Sequence, residues 1–168
     1  DALIDLVFWC KRLGPKVLGP DEQVALAKMP QKKIAIMIAG WQEDDVLEHM
    51  IAGNQACIEY DKYTFFLGVY PNDLATWTVA RNLEARFKNV VVIVNEKEGP
   101  TSKGQMLNQM VRDILKAQIA TGEKFDIFAI HDAEDVIHRK SFQVINKLAE
   151  TNDFIQIPIF SLPLSKWS

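Results

Sequence analysis

The residues whose types and spacing most clearly suggest chemistry are the acids Asp132, Glu134 and Asp135, which follow an apolar stretch at residues 125–130. Carboxylates this close repel one another, since two like charges about 4 Å apart cost roughly 4 kcal/mol at an effective dielectric near 20. A divalent cation between them turns this repulsion into a net attraction, and Mg²⁺ and Mn²⁺ prefer carboxylate oxygens. The cluster therefore indicates a metal site that could also hold the phosphates of a ligand.

Two other interpretations of the same residues remain open. Acids at a helix N-terminus are favoured by the helix dipole, by about 0.3–1 kcal/mol each, and Asp135 could cap a following turn. The doublet His131-Asp132 is also found in metal phosphohydrolases of the HD type, for which His49 and His138 would be further ligands. Those enzymes carry the doublet on a helix, whereas here it follows a strand pattern, which disfavours a phosphohydrolase.

A lysine is predicted close to the start of a helix. Thr101 or Ser102 could cap this helix, and Lys103 would then lie in its first turn. A helix N-terminus is a good place for an anion, but a lysine is unfavourable there on dipole grounds alone. Lys103 therefore suggests a bound phosphate, with a plain solvated side chain as the alternative. The stretch lacks the GxxxxGK[ST] spacing of a P-loop, which excludes a nucleoside triphosphatase of that type.

The hydrophobic pattern predicts the scaffold that positions these residues. Five apolar strands alternate with helices, the strands being residues 34–39, 63–70, 90–94, 125–130 and 154–157. Strands that are apolar nearly throughout indicate a largely parallel, buried sheet, so the predicted fold class is an α/β three-layer sandwich. Ligands bind beyond the carboxyl ends of the strands in such sheets. The predicted helices cover residues 21–28, 43–57, 73–87, 101–115 and 140–150.

Composition narrows the function classes. The formal net charge of -3 argues against a protein whose main partner is nucleic acid. Cys10 and Cys57 match no metal spacing and favour a reduced, cytosolic-side setting. The apolar residues 2–10 are too few to span a bilayer, which takes about 20 residues. They are interpreted either as a helix packed on the domain or as a juxtamembrane segment, with Lys11 and Arg12 on the cytoplasmic side.

Taken together, these residues resemble family 2 glycosyltransferases of the GT-A fold. The resemblance covers residues 33–160 and rests on four groups in order on successive strand ends: Trp41-Gln42-Glu43, Asn72-Asp73, Lys103-Gly104-Gln105-Met106-Leu107-Asn108 and Asp132-Ala133-Glu134-Asp135. Residues 68–73, 99–104 and 131–138 are also similar to inner-membrane glycosyltransferase subunits of the bacteriophage adsorption protein B type. Those proteins carry membrane helices around a cytoplasmic catalytic domain.

The resemblance implies a role for each matching residue. Nucleotide binding is implied for Glu43, Asp73, Lys103 and Asp132. The metal, Mg²⁺ or Mn²⁺, would be held by Asp132, Glu134 and Asp135, although the family more often has Asp where Glu134 stands.

The resemblance also implies a reaction and a location. The reaction is metal-dependent, inverting transfer of a sugar from a nucleoside diphosphate sugar to a glycan or lipid-linked acceptor, in envelope polysaccharide synthesis or export. The domain would lie on the cytoplasmic face of the bacterial inner membrane, with an outer-membrane export protein as a further partner.

The sequence predicts two parts. Residues 1–32 are expected to be a juxtamembrane helix and connection, and residues 33–168 the donor-binding part of the glycosyltransferase domain. The family places its general base in a later acidic motif, so the base is expected beyond Ser168 and the acceptor-binding part is expected to be absent. The alternative is a nucleotide-binding module without catalysis, serving as a regulatory or scaffold part of an envelope export complex.

Overall fold

Helices and strands alternate along the chain in the computed structural model, which describes residues 18–159. The elements are α1 (Pro20–Ala27), β1 (Ile34–Ala39), α2 (Asp44–Cys57), β2 (Tyr63–Val69), α3 (Leu74–Arg86), β3 (Val90–Val94), α4 (Lys103–Thr121), β4 (Ile127–His131) and α5 (Ser141–Leu148). No helix in this part of the chain is long and apolar enough to cross a membrane. The apolar residues 2–10, interpreted as a packed helix or a juxtamembrane segment, and the following Lys11 and Arg12 lie outside the described residues.

The four strands form one parallel sheet in the order β3-β2-β1-β4. The chain moves outward from β1 to β2 and β3 and then returns to the other side of β1, so strand order reverses between β1 and β4. The carboxyl ends of all four strands meet at one edge because the strands are parallel. A ligand crevice is expected at this reversal point, between the loops that follow β1 and β4. The predicted α/β class with a mostly parallel sheet is confirmed.

Helices cover both faces of the sheet, which gives three layers. Ile34, Ile36 and Ile38 of β1 belong to a core shared with α2, α3 and α5. Ala35 and Met37, which alternate with them, belong to a second core beneath α4. Burial on both faces explains why the strand sequences are apolar nearly throughout instead of alternating.

The predicted fifth strand at residues 154–157 is wrong, since this segment is not a strand in the structure. Phe154 is 84% exposed, and only Ile155 packs against the core. An apolar run of four residues is a weak signal, because a strand also needs a partner for its backbone groups. Pro158, which has no N–H to donate, follows directly.

The edge strand β4 differs from the other strands in its burial. Its residues alternate between partly buried and exposed, and Ile130 is 56% exposed. Phe128 and Ile130 pair in register with Ala35 and Met37 and so point to the α4 face of the sheet. Helix α4 packs over β1 and β2, which leaves this side of β4 open within residues 18–159.

Two glycines should respond in opposite ways to substitution by alanine. Gly53 lies in the exposed interior of α2, where an added Cβ meets nothing within 4 Å, so Gly53→Ala should raise the free energy of unfolding by about 0.5–1 kcal/mol. A Cβ on Gly68 of β2 would lie 2.7 Å from the sulfur of Met110 and 2.8 Å from that of Met106. Gly68→Ala should therefore lower the free energy of unfolding by about 1–3 kcal/mol. Urea unfolding measures both, and a gain at Gly68 would contradict the close packing of α4 on β2.

Candidate functional site

Four acids meet at the carboxyl edge of the sheet. Burial raises the pKa of Glu43, and the charges of Glu134, Asp132 and Asp73 raise it further. Glu43 and Asp73 follow β1 and β2, whereas Asp132 and Glu134 follow β4. The structure thus brings together four of the residues that the sequence selected, and their charges act on one another. A positive charge at this edge would relieve their repulsion.

Lys103 supplies one such charge by forming an ion pair with Asp132 Oδ1. It lies in the first turn of α4, whose N-cap is Ser102, one of the two caps that the sequence left open; Ser102 Oγ accepts the N–H of Gln105 at 3.2 Å. The side chains of Lys103 and Asp132 are 48% and 55% exposed. An ion pair this accessible contributes only about 0–1 kcal/mol, so incoming ligands can displace it at little cost.

Asp135 is turned into its own loop instead of toward the other acids. Its Oδ2 accepts the N–H of Asp132 at 3.0 Å and lies 3.0 Å from Nδ1 of His131. Across residues 18–159, no three His, Cys, Asp or Glu side chains are grouped so that they could hold a metal. The donors suit a hard divalent cation, because carboxylate oxygens are its preferred ligands, but their present arrangement is not a preformed cage. The metal role of Asp135 stays a prediction.

The helix-capping interpretation of these acids is wrong. Residues 132–135 form a turn, closed by a bond from Asp135 N to Asp132 O at 3.2 Å, and α5 begins only at Ser141. The phosphohydrolase interpretation is also wrong for this fold, since the His131-Asp132 doublet ends a parallel strand instead of lying on a helix.

Asn54 is a site-organising residue that the sequence interpretation missed. Its side chain is buried in α2, 2% exposed, and its Nδ2 donates to the carbonyl of Asp135 at 2.9 Å. Its Oδ1 accepts the N–H of Ile137 at 2.9 Å. The acid loop is therefore fastened to α2. The sequence did contain a signal for this role. Asn54 continues the helical spacing of the apolar residues Leu47, Met50 and Ile51, and a polar side chain on a core-facing helix surface needs a hydrogen-bond partner.

Asp73 and Gln42 join the loops after β1 and β2. Asp73 is 8% exposed, and its Oδ2 accepts the N–H of Gln42 at 2.6 Å. Its Oδ1 accepts the N–H of Thr76 at 3.3 Å and so caps α3. Gln42 has a φ of 57°, in the left-handed region. Both oxygens of the carboxylate thus contact the protein backbone, although the family resemblance implied that Asp73 binds the nucleotide.

The loop after β3 is fastened to the same assembly. The Asn72 side chain accepts the N–H of Gly99 and donates to its carbonyl, both at 2.7 Å. A Cβ on Gly99 would lie 2.6 Å from the ring of Trp41 and 2.7 Å from that of Tyr70. These two rings meet edge to face with centroids 5.4 Å apart. Three consecutive strand ends therefore form one packed surface beside the acids.

A depression of about 430 Å³ lies at the opposite, amino end of the sheet, lined by Gln31, Lys33, Asp61, Lys62, Tyr63 and Asp126. Its polar groups already bond to one another, for example Asp126 Oδ2 to the N–H of Lys33 at 2.7 Å. Because ligands of parallel sheets bind at the carboxyl ends, the acid edge is the better candidate.

Comparison with known proteins shows which family the chain resembles. Residues 30–166 match the model of a family described as "Glycosyltransferase like family 2". The chain is 34% identical over 165 residues to "Bacteriophage adsorption protein B" of Escherichia coli (strain K12), covering 95% of this chain and 22% of that protein. The identity and coverage are the same for "Bacteriophage N4 adsorption protein B" of Escherichia coli O157:H7. The chain thus spans about a fifth of the length of these relatives.

Among solved structures, the fold is similar to "Mannosyltransferase PcManGT from Pyrobaculum calidifontis in complex with GDP-Man and Mn2+", with a TM-score of 0.55 and 13% identity. The match covers 76% of this chain and 37% of that one. At this identity the likeness concerns the fold alone.

Replacing Asn54 by alanine should loosen the acid loop. The buried carbonyl of Asp135 and N–H of Ile137 would each lose their partner, so Asn54→Ala should lower the free energy of unfolding by about 2–4 kcal/mol. The control is Asn152→Ala, because Asn152 is exposed and bonds to Leu148 at the end of α5. Its effect should stay within about 0.5 kcal/mol. Equal losses for the two variants, measured by urea unfolding, would mean that Asn54 does not hold this loop.

Proposed function

The chain belongs to glycosyltransferase-like family 2, and on that premise we propose that it binds the nucleoside diphosphate part of a sugar donor. The observation that carries the proposal is the meeting of Glu43, Asp132 and Glu134 with Lys103 at the point where strand order reverses. This edge of the sheet thereby offers carboxylate ligands for a metal cation, and it offers the ammonium group of Lys103 for phosphate oxygens. A metal-bound diphosphate needs both.

Binding begins with the opening of the Lys103–Asp132 ion pair. Lys103 turns to the phosphate oxygens, beside the N-terminus of α4, where the helix dipole also favours an anion. Asp132 is then free to bind a cation. A charge-assisted hydrogen bond to phosphate is worth about 1.5–3 kcal/mol, more than the about 0–1 kcal/mol of the exposed pair, so the exchange is favourable.

Asp132 and Glu134 are the principal ligands in this proposal, with Mg²⁺ or Mn²⁺ as the cation. Carboxylate oxygens fit either ion, and a dication bound nearby would relieve the repulsion that Glu134, Asp132 and Asp73 add to the effect of burial on the pKa of Glu43. Asp135 is a further ligand in the proposal, although its Oδ2 accepts the N–H of Asp132 in the present arrangement. The metal, when bound, neutralises charge on the departing diphosphate. The similar mannosyltransferase structure, a complex with GDP-Man and Mn2+, supports a divalent cation as the partner of these acids.

The reaction that we propose for the whole protein is inverting transfer of the sugar to a glycan or lipid-linked acceptor in envelope polysaccharide synthesis or export. We place it at the cytoplasmic face of the bacterial inner membrane, with an outer-membrane export partner. The support is the similarity to the two adsorption proteins, whose names connect them with bacteriophage attachment to the cell. No described residue is assigned as the general base.

A second candidate is a nucleotide-binding module without catalysis. It is favoured by one observation, the ion pair between Asp132 and Lys103, which balances the charge of Asp132 without a metal. The two functions differ in their metal requirement. A non-catalytic module would bind a nucleoside diphosphate equally well with or without a cation.

Mn²⁺ should tighten the binding of a nucleoside diphosphate by about tenfold or more, since at least one charge-assisted contact is added. Calorimetry with GDP and UDP, in Mn²⁺ and in EDTA, measures the difference. Asp132→Asn should abolish the metal effect and leave the melting temperature nearly unchanged. Asp113→Asn is the control, because Asp113 also pairs with a lysine of α4, Lys116, at 3.3 Å but far from the site. Equal affinity in Mn²⁺ and EDTA would exclude the metal-dependent function.

Lys103→Ala should change two affinities in opposite directions. Mn²⁺ alone should bind more tightly, because Asp132 no longer has an internal partner. The nucleoside diphosphate should bind more weakly, by about 1.5–3 kcal/mol, because one contact to phosphate is lost. Titration of each ligand tests this against Lys116→Ala, which should change neither. Two changes of the same sign would contradict the proposed exchange of partners.

A further inference from the structure

The carboxylate of Asp73 is buried between two loops and has no oxygen left without a backbone partner. Its Oδ2 accepts the Gln42 N–H at 2.6 Å, and its Oδ1 accepts the Thr76 N–H at 3.3 Å. The α3 N-terminus adds its dipole, which favours a negative charge there. An ionised carboxylate with these contacts holds the two backbone groups more firmly than a neutral acceptor would. The geometry therefore directs Asp73 inward, toward the protein.

The backbone of Gln42 is the element that needs to be held. With a φ of 57°, it is the non-glycine residue with a positive φ within residues 18–159. A side chain crowds the backbone in this conformation, so residues other than glycine adopt it only when surrounding contacts impose it. The short bond from its N–H to Asp73 is such a contact.

The conformation of Gln42 sends its two neighbours to different parts of the site. Trp41, before it, packs against Gly99 and Tyr70. Glu43, after it, faces Glu134 and the other acids.

Other contacts fix the loop on either side of this turn. The N–H of Glu43 donates to Thr76 Oγ1 at 2.9 Å, and that of Gly40 donates to the carbonyl of Gly68 at 2.9 Å. Between these two contacts lies the backbone of Gln42, and the hydrogen bond from its N–H to Asp73 Oδ2 fixes its conformation.

We infer that Asp73 is a positioning residue, which holds Gln42 in the left-handed conformation and thereby places Trp41 and Glu43 for the nucleoside part of the ligand. The inference rests on the proposed function for its ligand. It differs from the role that the family resemblance implied, in which Asp73 itself lies beside the base and ribose. The two roles make different predictions for a variant in which residue 42 adopts a positive φ without the contact to Asp73.

The test uses Asp73→Ser, Gln42→Gly and the double variant. Serine caps a helix about as well as aspartate, so the bond to Thr76 N survives, but serine is too short to replace Oδ2 at Gln42. Asp73→Ser should weaken Mn²⁺-dependent binding of GDP or UDP by about tenfold, the loss of one charge-assisted contact. Gln42→Gly should stay within about twofold of the parent, since glycine adopts a positive φ without steric cost. The double variant should recover to within about threefold of the parent.

A direct contact between Asp73 and the nucleotide predicts no recovery, and a double variant as weak as Asp73→Ser would overturn the inference. Gln42→Val is the mirrored control. It leaves Asp73 intact but opposes the left-handed conformation, so it should lose affinity as Asp73→Ser does, and parental affinity would count against the inference. Melting curves check that each variant is folded.

Amide hydrogen exchange in the ligand-free chain separates this inference from the proposed function. Exchange at the Glu43 N–H should be faster in Asp73→Ser and return toward the parental rate in the double variant. An unchanged rate in Asp73→Ser would overturn the positioning role. If the parent binds no nucleoside diphosphate, the proposed function fails, and the exchange rates still decide whether Asp73 positions the loop.

Discussion

The mutual repulsion of the carboxylates at one edge of the sheet is the constraint on which the rest of the site depends. The pKa of Glu43 is raised first by burial and then by the charges of Glu134, Asp132 and Asp73, which gather at this edge. Such a gathering is unfavourable by itself, so it persists because the fold supplies compensating contacts.

Three kinds of contact provide this compensation. Asp73 is stabilised by backbone N–H groups, Asp132 by the ammonium of Lys103, and Asp135 by the N–H of Asp132. The first and third are built into the backbone of the loops, whereas the second joins two half-exposed side chains. Only the second can therefore be exchanged readily for a ligand. The structure thus distinguishes Asp73 and Asp135, whose contacts shape the loops, from Asp132, whose ion pair is accessible to solvent.

The sequence was sufficient for the fold class because burial on both faces of the sheet leaves a continuous apolar signal. It was also sufficient for the meeting of the acids, since parallel strands end at one edge. It failed at residues 154–157, where four apolar residues resembled a strand but pairing depends on a neighbour that local sequence does not specify. It could not show that Asp73 faces inward or that Asn54 holds the acid loop. Both depend on contacts between residues far apart in sequence, 31 positions for Gln42 and Asp73 and 81 for Asn54 and Asp135.

The open side of β4 bears on how this region behaves in concentrated solution. Phe128 and Ile130 leave an apolar strip beside a row of backbone groups that pair with no other strand among residues 18–159. A bare apolar edge of this kind can recruit a strand from another molecule, which is the usual start of edge-to-edge aggregation. The net charge of -3 offers little repulsion between copies. The colloidal stability of residues 18–159 thus depends on what covers this strip, a property of the surface that is independent of how well the core is packed.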